Sequence, residues 1–175
     1  MIIQDPATSQ GAAVDALGRV YSIADVRSAG VRASIDGDFA NFYSAYSATA
    51  AEEIVSFRND SDVPFYLHRV ILATDTAGSF SIGPATGTAA GTPLVPTNPR
   101  LGYVVLNQFA AFGNAAVTGL TPGTIMATFQ LPANGTAIMP VSGELIVGNG
   151  QQFSITTNVT AAVTVAVQGF WAEVY

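Results

Sequence analysis

The sequence predicts an all-β fold: a single jelly-roll-like antiparallel β-sandwich preceded by an extended N-terminal arm. Three observations support this. Apolar and polar residues alternate with a period of two near the C-terminus, short β-prone segments are separated by turn-forming residues, and no segment carries a capped helical stripe. With 175 residues, the chain has the size of one ordinary domain and can bury its own core.

The first region, residues 1–39, differs from the rest. It contains small residues, scattered charges and one strand-like piece, RVYSIADV at 19–26. We expect an extended arm or edge segment that docks onto this sandwich or onto a neighbour. A first sandwich strand with a long lead-in is an equally open alternative. The predicted domains are therefore the arm, 1–39, and the sandwich, 40–175.

The sandwich strands follow from runs of aromatic and β-branched residues bounded by turn residues. In order, they are NFYSAYS, EIVSFR, PFYLHRVILAT, SFSIG, YVVLNQF, IMATFQL, AIMPV and GELIV. The segment GPATGTAAGTP, at 83–93, is predicted to be a flexible loop between strands. With the C-terminal strands, the total of about eight to ten suits a jelly roll.

The C-terminal segment shows the alternation most clearly. Its apolar residues fall on odd positions: Phe153, Ile155, Val159, Val163, Val165 and Val167. A break near NVTAA predicts a hairpin. Gly169 predicts a bulge or bend, after which Phe170, Ala172 and Val174 become the apolar set.

Composition narrows the function. The net charge is −6, all six basic residues are arginine, and cysteine is absent. No basic stripe is available for nucleic acid, and no thiolate for a metal. We expect a soluble protein without a signal peptide and without membrane association. Fifteen of the 18 charged residues lie within residues 1–75. We expect the charge-poor remainder of the chain to pack against other subunits in a functional assembly.

Catalytic and metal chemistry are not expected. His68 is the only histidine and has no nucleophile motif with it. Asp36 with Asp38, and Asp60 with Asp62, lack the spacing of a calcium loop, so turns capped by Asx side chains explain them better. We therefore predict no catalytic residue, no cofactor and no metal.

Two stretches carry a family resemblance: AAVDALGRVYSIADVRSAGVRASIDGDFANFYS and EIVSFRNDSDVPFYLHRVILAT, together with the closing GELIVGNGQQFSITTNVTAAVTVAVQGF. They resemble small virion proteins of tailed bacteriophages. The resemblance implies a jelly-roll sandwich that decorates or cements a capsid, without catalytic residues and as a homo-oligomer, with a trimer favoured. Its partners would be the major capsid protein or other virion proteins, and its place the virion, assembled in the host bacterial cytoplasm.

This expectation selects two sets of interface residues. They are Val14, Leu17, Val20, Tyr21 and Ile23 in the arm, and Phe65, Tyr66, His68 and Arg69 in the sandwich. The alternative function is the receptor- or carbohydrate-binding head of a tail fibre, spike or adhesin. A cupin-like enzyme would need a histidine-rich metal site, and a single histidine argues against it.

Overall fold

The computed structural model describes residues 2–4, 11–14, 20–23, 39–49, 51–98 and 109–171. These residues form twelve strands: β1 Ile2–Gln4, β2 Gly11–Val14, β3 Val20–Ile23, β4 Phe39–Ala48, β5 Glu52–Asn59, β6 Phe65–Thr74, β7 Gly78–Pro93, β8 Phe109–Pro122, β9 Ala127–Leu131, β10 Gly135–Val147, β11 Gln152–Thr157 and β12 Ala161–Trp171. The predicted all-β class is confirmed. Within these ranges, no helix is long and apolar enough to cross a membrane.

Nine of the strands build two antiparallel sheets with the core between them. One sheet has four strands in the order β10-β6-β12-β4, and the other has five in the order β11-β5-β8-β7-β9. Strand β11 also pairs with β7. The inward side chains of both sheets form one hydrophobic cluster. The fold is therefore the antiparallel β-sandwich that the alternating pattern predicted.

Aromatic rings fill the centre of the core. The Phe57 and Phe65 ring centroids lie 4.4 Å apart, and those of Phe65 and Trp171 lie 4.8 Å apart. Phe42 meets Phe57 edge to face at 5.2 Å. All four side chains are fully buried. Burial of each large aromatic side chain removes roughly 150–250 Å² of accessible surface from contact with water. This cluster joins strands of both sheets.

The C-terminal alternation is confirmed in part. Phe153, Ile155, Val163, Val165 and Val167 are all buried. The predicted hairpin is wrong, because β11 pairs with β5 and β7 whereas β12 pairs with β4 and β6. The intervening turn carries the chain from one sheet to the other.

The irregularity predicted at Gly169 lies on the neighbouring strand. In the pairing of β12 with β6, Gln168 and Gly169 face Arg69 and Leu67, so the extra residue of the bulge is His68. The buried set therefore continues through Trp171, and the predicted change of parity is wrong for the half-exposed Phe170. Ala172 and Val174 lie outside the described residues.

Gly169 has a packing role. A Cβ atom there would lie 2.3 Å from Cζ of Phe65 and 2.5 Å from the carbonyl oxygen of Tyr66. Only glycine leaves room for the Phe65 ring and the adjacent backbone at this crossing.

The loop predicted at 83–93 is also wrong. Strand β7 continues to Pro93 and pairs with β8, from Ala85 opposite Pro122 to Pro93 opposite Phe112. Thr, Ala and Gly give no hydrophobic alternation, so the strand is defined by its backbone pairing instead. Most of the predicted strand YVVLNQF, residues 103–108, lies outside the described residues, and its last residue, Phe109, begins β8.

The N-terminal region contains an antiparallel three-stranded sheet in the order β1-β2-β3. Strand β3 falls within the predicted piece RVYSIADV, whereas β1 and β2 were not predicted. Val14 lies in β2 opposite Val20 of β3, and Tyr21 and Ile23 follow in β3. Leu17 lies outside the described residues. The docking role of this region stays a prediction.

Candidate interaction face

The solvent side of the four-stranded sheet is the candidate site, and we call it the outer face. The register of β4, β12, β6 and β10 aligns its residues in four rows. They are, in strand order, Ala45, Thr164, Ala73 and Thr136; Tyr43, Ala166, Ile71 and Ile138; Asn41, Gln168, Arg69 and Pro140; and Phe39, Phe170, Tyr66 and Ile146. Pro140 is assigned to its row by backbone register alone. At the other positions, side chains of one row are nearest neighbours across the strands.

The last row is aromatic. The rings of Tyr66 and Phe170 stack with centroids 5.6 Å apart, and those of Phe39 and Phe170 stack at 6.5 Å. The bulge at His68 brings its imidazole edge-on to Phe39, with 6.4 Å between centroids. Ile146 extends this row to the sheet edge with 54% of its surface exposed.

The second row combines exposure with apolar character. Tyr43 is 57% exposed at one edge of the sheet, and Ile138 is 60% exposed at the other. Between them lie Ala166 and Ile71, both half-buried. Singly exposed apolar residues are ordinary, whereas a contiguous apolar row is a candidate contact surface.

Next to this row lies a shallow depression that is largely open to solvent. This depression of about 550 Å³ is lined by small side chains of the first row, including Ala45 and Ala73, and by Asp75 and Asn134 beyond it. The Asp75 carboxylate is fixed in place, because its Oδ1 accepts hydrogen bonds from the backbone N–H of Ala162 (2.9 Å) and from the Thr76 hydroxyl (3.0 Å).

The outer face is poor in charge. Among its sixteen residues, Arg69 alone is charged at neutral pH, and its Nε donates a hydrogen bond to Oε1 of Gln168. No aspartate or glutamate belongs to the four rows, although the chain as a whole carries a net charge of −6. The carboxylate of Asp75 borders the face beyond the first row.

At both edges of this sheet, backbone groups that could pair with an added strand are bonded or missing at several positions. On β4, the N–H of Asn41 donates to the Thr97 carbonyl (2.8 Å), and that of Ala45 donates to Oδ1 of Asn114 (2.9 Å). Because hydrogen-bonded and non-bonded pairs alternate across antiparallel strands, the Asn41 row places the nitrogen of Pro140 on the free edge of β10. Proline has no N–H to donate there. At these three positions the edges have no free N–H to donate to an added strand.

The structure brings three of the predicted interface residues together. Tyr66, His68 and Arg69 lie on the outer face, and His68 and Arg69 are exposed. Phe65 is corrected: it is fully buried against Trp171, because it faces the core at the start of β6. The prediction missed Tyr43 and Ile138, although the alternation within NFYSAYS and AIMPV could have placed them opposite the core.

The acidic turn between β5 and β6 is held by its own hydrogen bonds. Asp60 forms an ion pair with Arg58, at 2.6 Å from Nε, and Asp62 accepts from Nδ2 of Asn149 at 2.7 Å. The Ser61 N–H donates to Oδ1 of Asn59 (3.1 Å), which is an Asx turn. Among the described residues, no three acidic or histidine side chains converge as metal ligands. Asp36 and Asp38 lie outside those residues.

A second cleft, of about 300 Å³, includes Glu52 and Glu53 in its lining. Oε1 of Glu52 accepts from the Tyr46 hydroxyl (3.2 Å) and from the Thr49 N–H (3.0 Å). Burial, reinforced by the Glu52 carboxylate, raises the pKa of Tyr46 well above its usual value. Glu52 thus holds the turn after β4, which is a structural role.

Comparison with protein-family models, with curated proteins and with solved structures finds no match for this chain.

Proposed function

We propose that the protein is a structural component of a tailed-phage virion, a capsid decoration or cement protein that binds the head surface. The outer face is the observation that carries this proposal: it is apolar, poor in charge and flanked by blunted edges. Such a surface suits subunit packing better than the binding of a charged ligand. The resemblance of the sequence to small virion proteins adds the particle as the setting.

In this proposal the protein acts through contact area alone. The N-terminal region lies across the capsid surface, and the charge-poor outer face packs subunit against subunit as a homo-oligomer. Buried apolar surface contributes about 25 cal/mol per Å², less the entropy lost on association. Several contacts of modest size then give tight binding on a particle, because each neighbour raises the effective concentration of the next.

We further infer a jelly-roll topology. Apart from the β7-β8-β9 stretch, every connection from β4 to β12 passes from one sheet to the other. If β8 is treated as an insertion beside β7, the sheets read β4-β12-β6-β10 and β5-β11-β7-β9. Two four-stranded sheets with this alternation are typical of jelly rolls, which are common in capsid proteins.

The test uses particles. The chain should be found by mass spectrometry in purified phage particles made from the genome that encodes it, and it should co-sediment with heads that lack it. A variant without residues 1–30 should keep the circular dichroism of a β-sandwich and lose head binding. A chain absent from particles and unable to bind heads would contradict the proposal, and loss of folding in the truncation would place the N-terminal region in the core.

The alternative, a receptor- or carbohydrate-binding head, is supported by the depression on the outer face. Polar groups of Asp75, Asn134 and Thr136 line it, as glycan sites require. Binding of the isolated chain to a glycan array, abolished by Asn134→Gly, which keeps the positive φ of 55° available, would favour this alternative.

A further inference from the structure

We propose that two copies of this chain pack outer face to outer face, related by a two-fold axis that runs between the Tyr43 row and the Ala45 row. This inference rests on the proposed function, because it specifies how the subunits contact one another. The second copy is favoured as the occupant by shape, by charge and by area.

Shape complementarity follows from the register. A two-fold axis along the rows places each residue of one row over its counterpart in the other, on the same strand of the partner. Tyr43 then lies over Ala45, Ile71 over Ala73 and Ile138 over Thr136. The Tyr43 row of each copy faces the shallow depression of the other. A larger side chain meets a smaller one on β4, β6 and β10, whereas Ala166 meets Thr164 on β12.

Charge complementarity arises from the same axis. On β6, the residue that mirrors Arg69 across the level of Leu72 is Asp75. The exposed Arg69 of each copy therefore faces the exposed Asp75 carboxylate of the other, and this happens twice. Gln168 takes only one of the five N–H donors of the guanidinium, at Nε. Nothing else on the sixteen-residue face is charged, so two acidic chains meet here without repulsion.

Area sets the expected strength. About this axis, the overlapping levels of each copy run from the Arg69 row through the Tyr43 and Ala45 rows to the level of Asp75, so the aromatic row lies outside the contact. Four strands spaced about 4.8 Å apart and these four levels, spaced about 6.6 Å apart, give a contact of roughly 500 Å² per copy. Specific interfaces begin at roughly 600 Å² of accessible surface per partner. We therefore expect a reversible dimer with a dissociation constant in the micromolar range or weaker, which the multiple contacts of a particle would reinforce.

The first experiment is sedimentation velocity of the full chain from about 1 µM to about 1 mM. The expected species is a dimer of twice 18.0 kDa. Ile138→Asp should weaken it at least about tenfold, since the carboxylate would be buried against the partner. The matched control is Ile125→Asp, because Ile125 is also 60% exposed but lies outside the outer face. It should leave the dimer unchanged.

The second experiment tests the axis itself by charge exchange. Arg69→Asp should abolish the dimer, because it places two carboxylates beside each other, and the double variant Arg69→Asp/Asp75→Arg should restore it. The two-fold packing would be overturned by a wild-type chain that stays monomeric at the highest concentration, or by a trimer that is insensitive to Ile138→Asp. It would also be overturned by equal effects of Ile138→Asp and Ile125→Asp, or by a charge exchange that fails to restore the dimer. A monomer that still binds heads would leave the proposed function standing. A dimer that is absent from particles would overturn the function and leave the packing intact.

Discussion

The Asn59 side chain is the polar centre of the sandwich, and its removal should be costly. Asn59 is fully buried at the end of β5. Its Nδ2 donates to the carbonyl oxygens of Val63 and Val147, both at 2.9 Å. Its Oδ1 accepts from Nε1 of Trp171 (2.9 Å) and from the N–H of Ser61 (3.1 Å). One amide thus joins a turn, a strand of each sheet and the largest core side chain.

Replacement of Asn59 by alanine leaves the buried indole N–H of Trp171 without a partner. It also removes one hydrogen bond to the carbonyl of Val147, a residue that stays in register with Phe65 in the sheet. Each unsatisfied buried group costs about 1–3 kcal/mol. The Val63 carbonyl and the Ser61 N–H are nearer to solvent, so water can replace the lost bonds there. We expect the free energy of unfolding to fall by about 3 kcal/mol, from one unsatisfied buried donor and one lost hydrogen bond to a buried carbonyl.

Equilibrium unfolding in urea, followed by circular dichroism, measures this change. The control is Asn149→Ala, since Asn149 is exposed and its Nδ2 makes one hydrogen bond, to Asp62. That variant should change the free energy of unfolding by less than about 0.5 kcal/mol. In a double-mutant cycle, Asn59→Ala and Trp171→Phe should couple by about 1 kcal/mol. A loss below about 1 kcal/mol for Asn59→Ala, or one equal to that of the control, would refute the reasoning.

Three further predictions concern packing, the sheet edge and pH. Gly169→Ala forces a methyl group against the ring of Phe65, so it should lower the free energy of unfolding by about 1–3 kcal/mol in the same urea assay. The control is Gly148→Ala, which should be neutral because its Cβ would meet its nearest atom at 3.7 Å. Equal effects of the two variants would contradict this prediction. Asn114→Gly keeps the positive φ of 55° available but removes the acceptor of the Ala45 amide. Hydrogen exchange at that amide should therefore accelerate about tenfold. Unchanged exchange would show that other groups protect this edge of the sheet. Since the folded state raises the pKa of Tyr46, the neutral phenol is stabilised by folding; stability is fully present below the unfolded pKa of about 10 and is lost as pH rises above it. Tyr46→Phe should lose less stability than wild type between pH 9 and pH 11, and an identical loss would refute this role.

The sequence carried the strands whose side chains alternate. Val163, Val165 and Val167 could be assigned to the core because successive residues of a strand point to opposite faces. The same rule places Tyr66 on the surface and Phe65 inside, so the predicted set of interface residues, which stays a prediction, included one core residue. The prediction of His68 and Arg69 as surface residues agrees with their exposure, whereas their joint exposure depends on a bulge that no pattern in the sequence marks.

The composition and alternation of the sequence by themselves determined an all-β chain, its antiparallel layers and most of its core, because these depend on the separation of apolar from polar side chains along each strand. Only the tertiary structure decided which strands pair. Strand β7 continues through a segment of Thr, Ala and Gly because β8 supplies its backbone partners, and β11 and β12 separate into different sheets. The outer face belongs to this second category, since Tyr43, Ile71 and Ile138 become one row only through hydrogen bonds between residues far apart in the chain.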